Sequence, residues 1–376
     1  MTEILLTIFF ISVLLFFLGS GIWVALSMIG VSAIGMMLFT SRPVGDAMAT
    51  TIWGTSSSWT LTALPLFVWM GEILFRTKLS ENLFKGLSPW MQKLPGGLIH
   101  VNIVGCALFA AISGSSAATV ATVGKMSIPE LRKRKYPEKI LLGSLAGSGT
   151  LGLLIPPSII LIIYGVAVQE SIAKLFIAGI IPGIMIALIF MTYVIIWSLI
   201  NKKIMPKVLE EYSLIEKIKR SKQLLPIIIL ISAVIGSIYT GIATATEAAS
   251  LGVLGALILS YFQKSLTVET FKSSLLGATK TSCMIAFILA GSTFLSLAMG
   301  FTGLPRNLAL WIQNMELSPY VLIFVLMIFY IILGMFLDGI SAVVLTMAII
   351  EPMIRQAGFD MIWFGIFLVI VVEMAQ

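Results

Sequence analysis

Apolar runs long enough to cross a bilayer recur from Ile4 to the last residue, separated by short polar stretches, and this recurrence constrains the fold more than any other feature. Crossing roughly 30 Å of hydrocarbon takes about 20 helical residues at 1.5 Å each. The chain is 59% hydrophobic and 11% charged, far from the balance of a water-solvated globule. It reads as an all-α integral membrane protein with the lipid bilayer as its solvent. No stretch has the composition of a separate soluble domain, and Met1-Thr2-Glu3 lacks the basic region of a cleaved secretory signal, so the first apolar segment is expected to stay as an anchor.

The opening run, residues 4–39, is interrupted by Gly19-Ser20-Gly21 and predicts two short helices. A polar segment follows at 41–60. Further spans are expected at 61–75, 97–123, 140–168, 172–200, 225–239, 245–262, 275–304, 320–354 and 361–376. Lys and Arg number four in 76–96, six in 124–139, seven in 201–224 and two in 263–274, so nineteen of 24 mark the cytoplasmic side. The net charge of +7 is therefore a topology signal, and nucleic-acid binding is not indicated. Segments 41–60, 305–319 and 355–360 carry one basic residue each, Arg42, Arg306 and Arg355, and are expected outside.

Both flanks of 97–123 are basic and both flanks of 320–354 are basic-poor, so each region returns to the side it came from. They read as two re-entrant hairpins of opposite orientation, the product of an inverted-topology repeat. Amphipathic stretches precede them, LSENLFKGLSPWMQKL at 79–94 and NLALWIQNMEL at 307–317; these and the segment 202–224 suit helices lying in the interface plane. The hairpins share a short motif, ISGSSAAT at 112–119 and LDGISAVV at 337–344, each followed by a proline, Pro129 or Pro352. By the spacing of those prolines, residues from Met361 onward repeat the segment from 140, and roughly fifty further residues would complete the symmetry.

A membrane helix cannot expose broken backbone to lipid, so a glycine-dense stretch closed by Pro156-Pro157 must face protein or a wet cavity. Gly147, Gly149, Thr150 and Gly152 precede those prolines. Carbonyls and hydroxyls freed there can replace the hydration shell of a small cation, and a half-helix N-terminus offers amides to an anion. The tip Ser113-Gly114-Ser115-Ser116, with Thr119, supplies further oxygens, which predicts one sodium site between these elements. Glycines at four-residue spacing, such as Gly143 and Gly147, also serve close helix packing, but packing alone does not call for paired prolines.

In the second hairpin, Asp338 is an acid inside a hydrophobic run, costly unless functional. Glu72 and Lys280 lie where they can snorkel, and Thr246-Glu247 looks like a helix start. Cys106 and Cys283 read as packing residues. There is no Walker loop, and His100 is the only histidine, so neither ATP drive nor an intramembrane serine hydrolase is expected.

SGSSAATVATVGKMSIPEL, GSGTLGLLIPPSIILIIYGV, SIAKLFIAGIIPG and TATEAAS resemble the large membrane subunit of tripartite ATP-independent periplasmic (TRAP) transporters, over essentially the whole chain. The resemblance implies an elevator-type carrier in the bacterial inner membrane. It would be driven by the sodium gradient, working with a small four-helix membrane subunit and a periplasmic binding protein that delivers a small carboxylate. It implies a first sodium site from Ser113, Gly114, Ser116, Gly147, Thr150 and Gly152, and a second using Gly339 and Ser341 with a Pro-Pro segment that this chain lacks. Ser115, Ser116, Pro156, Pro157 and Asp338 are the candidate substrate contacts. The expected organisation is 1–96 (scaffold and arm helix), 97–200 (first transport-core repeat), 201–319 (second scaffold and arm) and 320–376 (second core repeat, ending within a helix). The competing readings are a sodium/dicarboxylate symporter that needs no binding protein, a channel, and a purely structural membrane partner.

Overall fold

The computed structural model describes residues 2–77, 79–206, 212–303, 307, 318–335 and 337–375. The expected arm helix at 307–317 lies outside them, apart from Asn307. In chain order the helices are α1 (Thr2–Gly19), α2 (Val24–Phe39), α3 (Val44–Ser56), α4 (Ala63–Phe75), α5 (Leu79–Met91), α6 (Ile99–Ser113), α7 (Ser116–Lys133), α8 (Glu138–Gly149) and α9 (Ile159–Ala167). They continue as α10 (Ile172–Ile200), α11 (Leu214–Ser221), α12 (Leu225–Tyr239), α13 (Ala245–Phe262), α14 (Val268–Thr302), α15 (Pro319–Gly334), α16 (Gly339–Gln356) and α17 (Met361–Ala375). Single 3-10 turns at Trp59–Thr62 and Thr150–Leu153 complete the described regular structure, which contains no strand.

Four of these helices, α10, α13, α14 and α16, are long and apolar enough to cross a membrane. Shorter apolar helices cover Ile8–Gly19, Val24–Phe39, Ile99–Ser113, Pro319–Gly334 and Met361–Ala375. The molecule is a multi-pass membrane protein. The opening run divides at Ser20 to Trp23, beside the glycines that break its pattern. α13 starts at a capping box in which Thr244 and Glu247 satisfy each other's backbone amides, so Glu247 is accounted for as a helix-start residue. α11 uses the same device with Ser213 and Glu216. Glu72 of α4 forms an ion pair with Arg76, four residues on and just past the end of that helix.

The succession of helices occurs twice. Starts at residues 2, 24, 44, 99, 116 and 138 recur at 225, 245, 268, 319, 339 and 361, a nearly constant spacing of 220 to 224. The register of the hairpin motifs needs correction: Pro129 and Pro352 each fall thirteen residues after the first residue of their helix, Ser116 and Gly339. Asp338 therefore matches Ser115 and not Ser113. Each is the N-cap, its side chain accepting from the amide three residues on, Ala118 or Ser341. Capping fixes the helix start and so outranks a short likeness between common residues.

Two compact units draw segments from both halves of the sequence, and each combines several of the four regions delineated above. One holds Met1–Thr62, Ile162–Ile172 and Lys280–Gln376. Within it Gly291 lies against the backbone of Ala25, where an added Cβ would stand 2.8 Å from the carbonyl oxygen. Ser292 donates to the carbonyl of Val344 (2.6 Å), and Tyr330 and Thr346 share a buried hydrogen bond of 2.6 Å. Tyr164 is fully buried and donates to the Met361 carbonyl at 2.6 Å, its ring filling the space beside Gly365.

The other unit holds Ala63–Leu161 and Ala173–Thr279. There α4 and α13 approach closely at Gly252, whose missing side chain admits the Met70 sulfur. Ile99, Ile103, Ile140 and Val194 form a core that joins α6, α8 and α10. Cys106 is buried in this unit, whereas Cys283 on α14 is exposed, so its expected packing role does not hold. In a bilayer an outward helix face tolerates a small apolar thiol as easily as an interior does.

Gly365→Val should lower stability by about 1–3 kcal/mol, because a Cβ there would stand 2.5 Å from the buried Tyr164 ring. Thermal unfolding in detergent measures this, and an unshifted midpoint would contradict the packing described.

Candidate functional site: a hairpin tip on a broken helix

α6 and α7 form a helical hairpin whose turn is Gly114 and Ser115. Gly114 ends α6 in the left-handed region, φ 59°, which a residue with a side chain adopts only with strain. Ser115 then caps α7. α6 has 15 residues, about 22 Å of helix, which falls short of the hydrocarbon thickness.

The segment facing this turn is the broken helix anticipated in the sequence. α8 stops at Gly149 and tightens through the 3-10 turn Thr150–Leu153; the chain then runs irregularly to Ser158 through a cis Pro156-Pro157 bond before α9 begins. Neither proline has an N–H, so the carbonyls of Gly152 and Leu153 lose their helical partners. The Ser158 hydroxyl takes over Leu153, donating to its carbonyl, and accepts from the Leu161 amide, so it closes the gap and caps α9 together.

Tip and break meet backbone to backbone. A Cβ on Gly114 would stand 2.5 Å from the Pro157 carbonyl oxygen, and one on Gly152 would stand 2.9–3.0 Å from the backbone of Ser115 and Ser116. The Ile159 amide donates to the Gly114 carbonyl at 3.4 Å. Gly71 of α4 closes a third side, with an imagined Cβ 3.0 Å from the Ser113 Cα.

At the tip lies a knot of oxygens. The Ser113 and Thr119 hydroxyls are 2.9 Å apart, and Thr119 donates to the Ser115 carbonyl at 2.7 Å. Ser113 also reaches that carbonyl, at 3.3 Å. Both side chains are buried, Thr119 fully. Hydroxyl and carbonyl oxygens are the kind of ligand a hard cation takes, and here they bond to one another. Among the described residues no cluster of three His, Cys, Asp or Glu exists that could hold a transition metal.

The structure thus gathers Ser113, Gly114, Ser115, Ser116, Gly152 and Pro157 at one place, while Pro156 lines a small apolar pocket with Phe176, Ile235 and Tyr239. Thr150 bonds back to the Gly147 carbonyl at 2.8 Å, one turn before the break. Gly147 itself faces Phe190 of α10, 3.7 Å from an imagined Cβ, and Gly149 seats Val120 of α7, so the two glycines serve helix contacts. Asp338, Gly339 and Ser341 belong to the other unit. There Asp338 is exposed and accepts from the Ser341 amide at 3.1 Å, while Gly339 and Ser341 are buried. As an exposed N-cap, Asp338 has the ordinary structural use of an acid at a helix start. His100 lies thirteen residues below Ser113 on the same helix, about 20 Å away, and its Nε2 donates to the Pro95 carbonyl at 2.8 Å, so it cannot activate a tip serine.

Sequence reasoning did not single out Gly71. It sits between Met70 and Glu72 with no Pro or Ser beside it, so only the fold shows that it abuts the turn.

A polytopic helical protein with a capped hairpin turn packed on a proline-broken helix has the architecture of a membrane solute carrier. Residues 9–376 match the family described as tripartite ATP-independent periplasmic transporter, DctM component, and the chain belongs to that family. It is 32% identical over 343 residues to a C4-dicarboxylate TRAP transporter large permease protein of Pseudomonas aeruginosa, covering 91% of this chain and 79% of that one. It is 31% identical to a sialic acid TRAP transporter large permease protein of Vibrio cholerae (93% and 81%), and 29% identical to an isethionate TRAP transporter permease protein, DctMQ, of Oleidesulfovibrio alaskensis (94% and 55%).

Gly114→Ala and Gly152→Ala should each lower the unfolding midpoint, whereas Gly143→Ala, with open space around it on an exposed face of α8, should leave it unchanged or raise it slightly. Equal behaviour of all three in a melting series would refute the tip contact.

Proposed function

We propose that this chain carries the transport path of a sodium-coupled importer for a small organic acid. The observation behind the reading is the buried oxygen knot of Ser113, Thr119 and the Ser115 carbonyl, seated on the Pro156-Pro157 break. Sodium is cargo here. It would exchange its water for the tip oxygens and for the Gly152 carbonyl, which has no helical amide to accept from. A bound cation beside the Ser116 end of α7 adds to the positive end of that helix, so a carboxylate binds better once sodium is present. That shared electrostatic term couples the two solutes and supports Ser115, Ser116 and the Pro156-Pro157 segment as substrate contacts. A second site at Gly339 and Ser341, beside Asp338, rests on the repeat alone.

The tripartite family description supports delivery by a periplasmic binding protein and assembly with a small membrane subunit. So does the DctMQ relative, of which the matched region makes up only 55%. The names of the C4-dicarboxylate and sialic acid permease relatives support a small organic acid as the substrate. An inner-membrane location and an elevator movement of the hairpin core against the scaffold accord with this reading.

In proteoliposomes containing this chain and its partner subunits, Ser116→Ala and Thr119→Val should each raise the sodium concentration for half-maximal uptake several-fold, with Gly143→Ala as a control that does not. Unchanged sodium dependence in both variants would sink the cation assignment. Sodium-driven uptake of free substrate with no binding protein present would instead favour an independent symporter.

A further inference from the structure

Residues 92–96, Tyr136, and Lys202, Met205 and Pro206, drawn from three of the four segments rich in Lys and Arg, line an open cavity of about 410 Å³ below the base of α6. Its walls include Lys93, Tyr136, Ser198, Leu199, Lys202 and Met205. Among the described residues that line it there is no carboxylate, and it has two cations, Lys93 and Lys202, both exposed. The Tyr136 hydroxyl accepts from the Leu98 amide at 3.0 Å and so keeps its own proton available to donate. Burial pushes that phenol's pKa up, against the pull of the Leu98 hydrogen bond and of Arg134, which keeps it a neutral donor at every physiological pH.

The rim of this cavity continues onto the exposed apolar face of α10. Leu199 is at once a wall of the cavity and the last of a row of exposed side chains on α10, with Leu188 (57% exposed) and Ile196 (53%) above it at helical spacing. A polar chamber with two lysines and a hydroxyl donor, opening onto an apolar track, matches one kind of ligand: an anionic headgroup attached to acyl chains. We propose that this cavity is a binding site for an anionic phospholipid, the phosphate held between Lys93, Lys202 and the Tyr136 hydroxyl and the acyl chains laid along α10. A free phosphate ester shares the headgroup chemistry but leaves the α10 track without a use. The site is separate from the hairpin tip, at the opposite end of α6, and does not depend on sodium coupling.

The test uses the full chain, purified and stripped of lipid in a neutral detergent, with dipalmitoyl phosphatidylglycerol, phosphatidylcholine of the same chains, or glycerol 3-phosphate added. Native mass spectrometry counts bound lipid and thermal unfolding reads its effect. Phosphatidylglycerol should be retained and should raise the midpoint, and the other two should do neither at equal concentration. Lys93→Gln combined with Lys202→Gln should weaken retention about tenfold or more, given the strength of lysine attraction to anionic lipid. Lys133→Gln combined with Lys135→Gln, exposed and outside the cavity, should not. Leu199→Gln should weaken the lipid's retention by cutting the acyl track. Stabilisation by phosphatidylcholine or by glycerol 3-phosphate to the same degree, or equal losses in the two double-lysine variants, would overturn the proposal.

Discussion

The contact between a hairpin turn and a proline-broken helix is the constraint on which the first-hairpin unit depends. In a bilayer every main-chain group needs a partner inside the protein, and a helix interrupted by two prolines creates several that lack one. Here the interruption is closed by matching it to a second irregular backbone. Gly114 can approach the Pro157 carbonyl because it has no side chain and tolerates φ 59°, and Gly152 can lie on the Ser115–Ser116 peptide for the first of those reasons. Once these two backbones touch, the direction of α7, the end of α8 and the start of α9 are set together. The oxygen knot of Ser113 and Thr119 is a consequence of that geometry, since the turn brings residues six apart within 2.9 Å.

The repeat shows how one architecture carries two chemistries. α7 and α16 are both 18 residues long, both carry an internal proline thirteen residues after the first position, and both begin with a side chain capping the third amide. The cap is a neutral Ser115 in one and an ionisable Asp338 in the other. The shared physical demand is a hydrogen-bond acceptor at the helix start, and serine and aspartate meet it about equally well. What differs is charge, which is free to diverge because the cap requires none. The halves also differ where α14 runs unbroken for 35 residues, while its counterpart is divided into α3 and α4 by a 3-10 turn near Ser56-Ser57-Ser58. Serine hydroxyls compete for helix carbonyls, which favours a break there.

Much of this could be read in the sequence. Length and apolarity give helices in a membrane, Gly19-Ser20-Gly21 marks the first break, and Gly147 to Pro157 gives the place where α8 ends. Thr244 with Glu247 spells a capping box. These features are local: each follows from what a residue does to its own backbone within one turn. The register of the repeat was legible from Pro129 and Pro352 but not from the short Gly-x-Ser likeness, whose residues are common in any membrane helix. Cys283, read as a packing residue, is exposed, because an apolar sequence in lipid does not distinguish the face toward protein from the face toward the bilayer.

By itself, then, the sequence determined that the chain spans a membrane as helices, where those helices break, and which broken stretch must be sheltered. Only the tertiary structure decided what shelters it. The fold turned Gly147 toward Phe190 and Gly149 toward Val120 while turning Gly152 toward the hairpin tip, though all three lie within one six-residue stretch. It brought Gly71 against Ser113 and gathered three distant basic segments around one cavity. Glycine and proline act on their own backbone and so declare themselves in the chain, whereas the partner a glycine admits is set by the packing of helices far away in sequence.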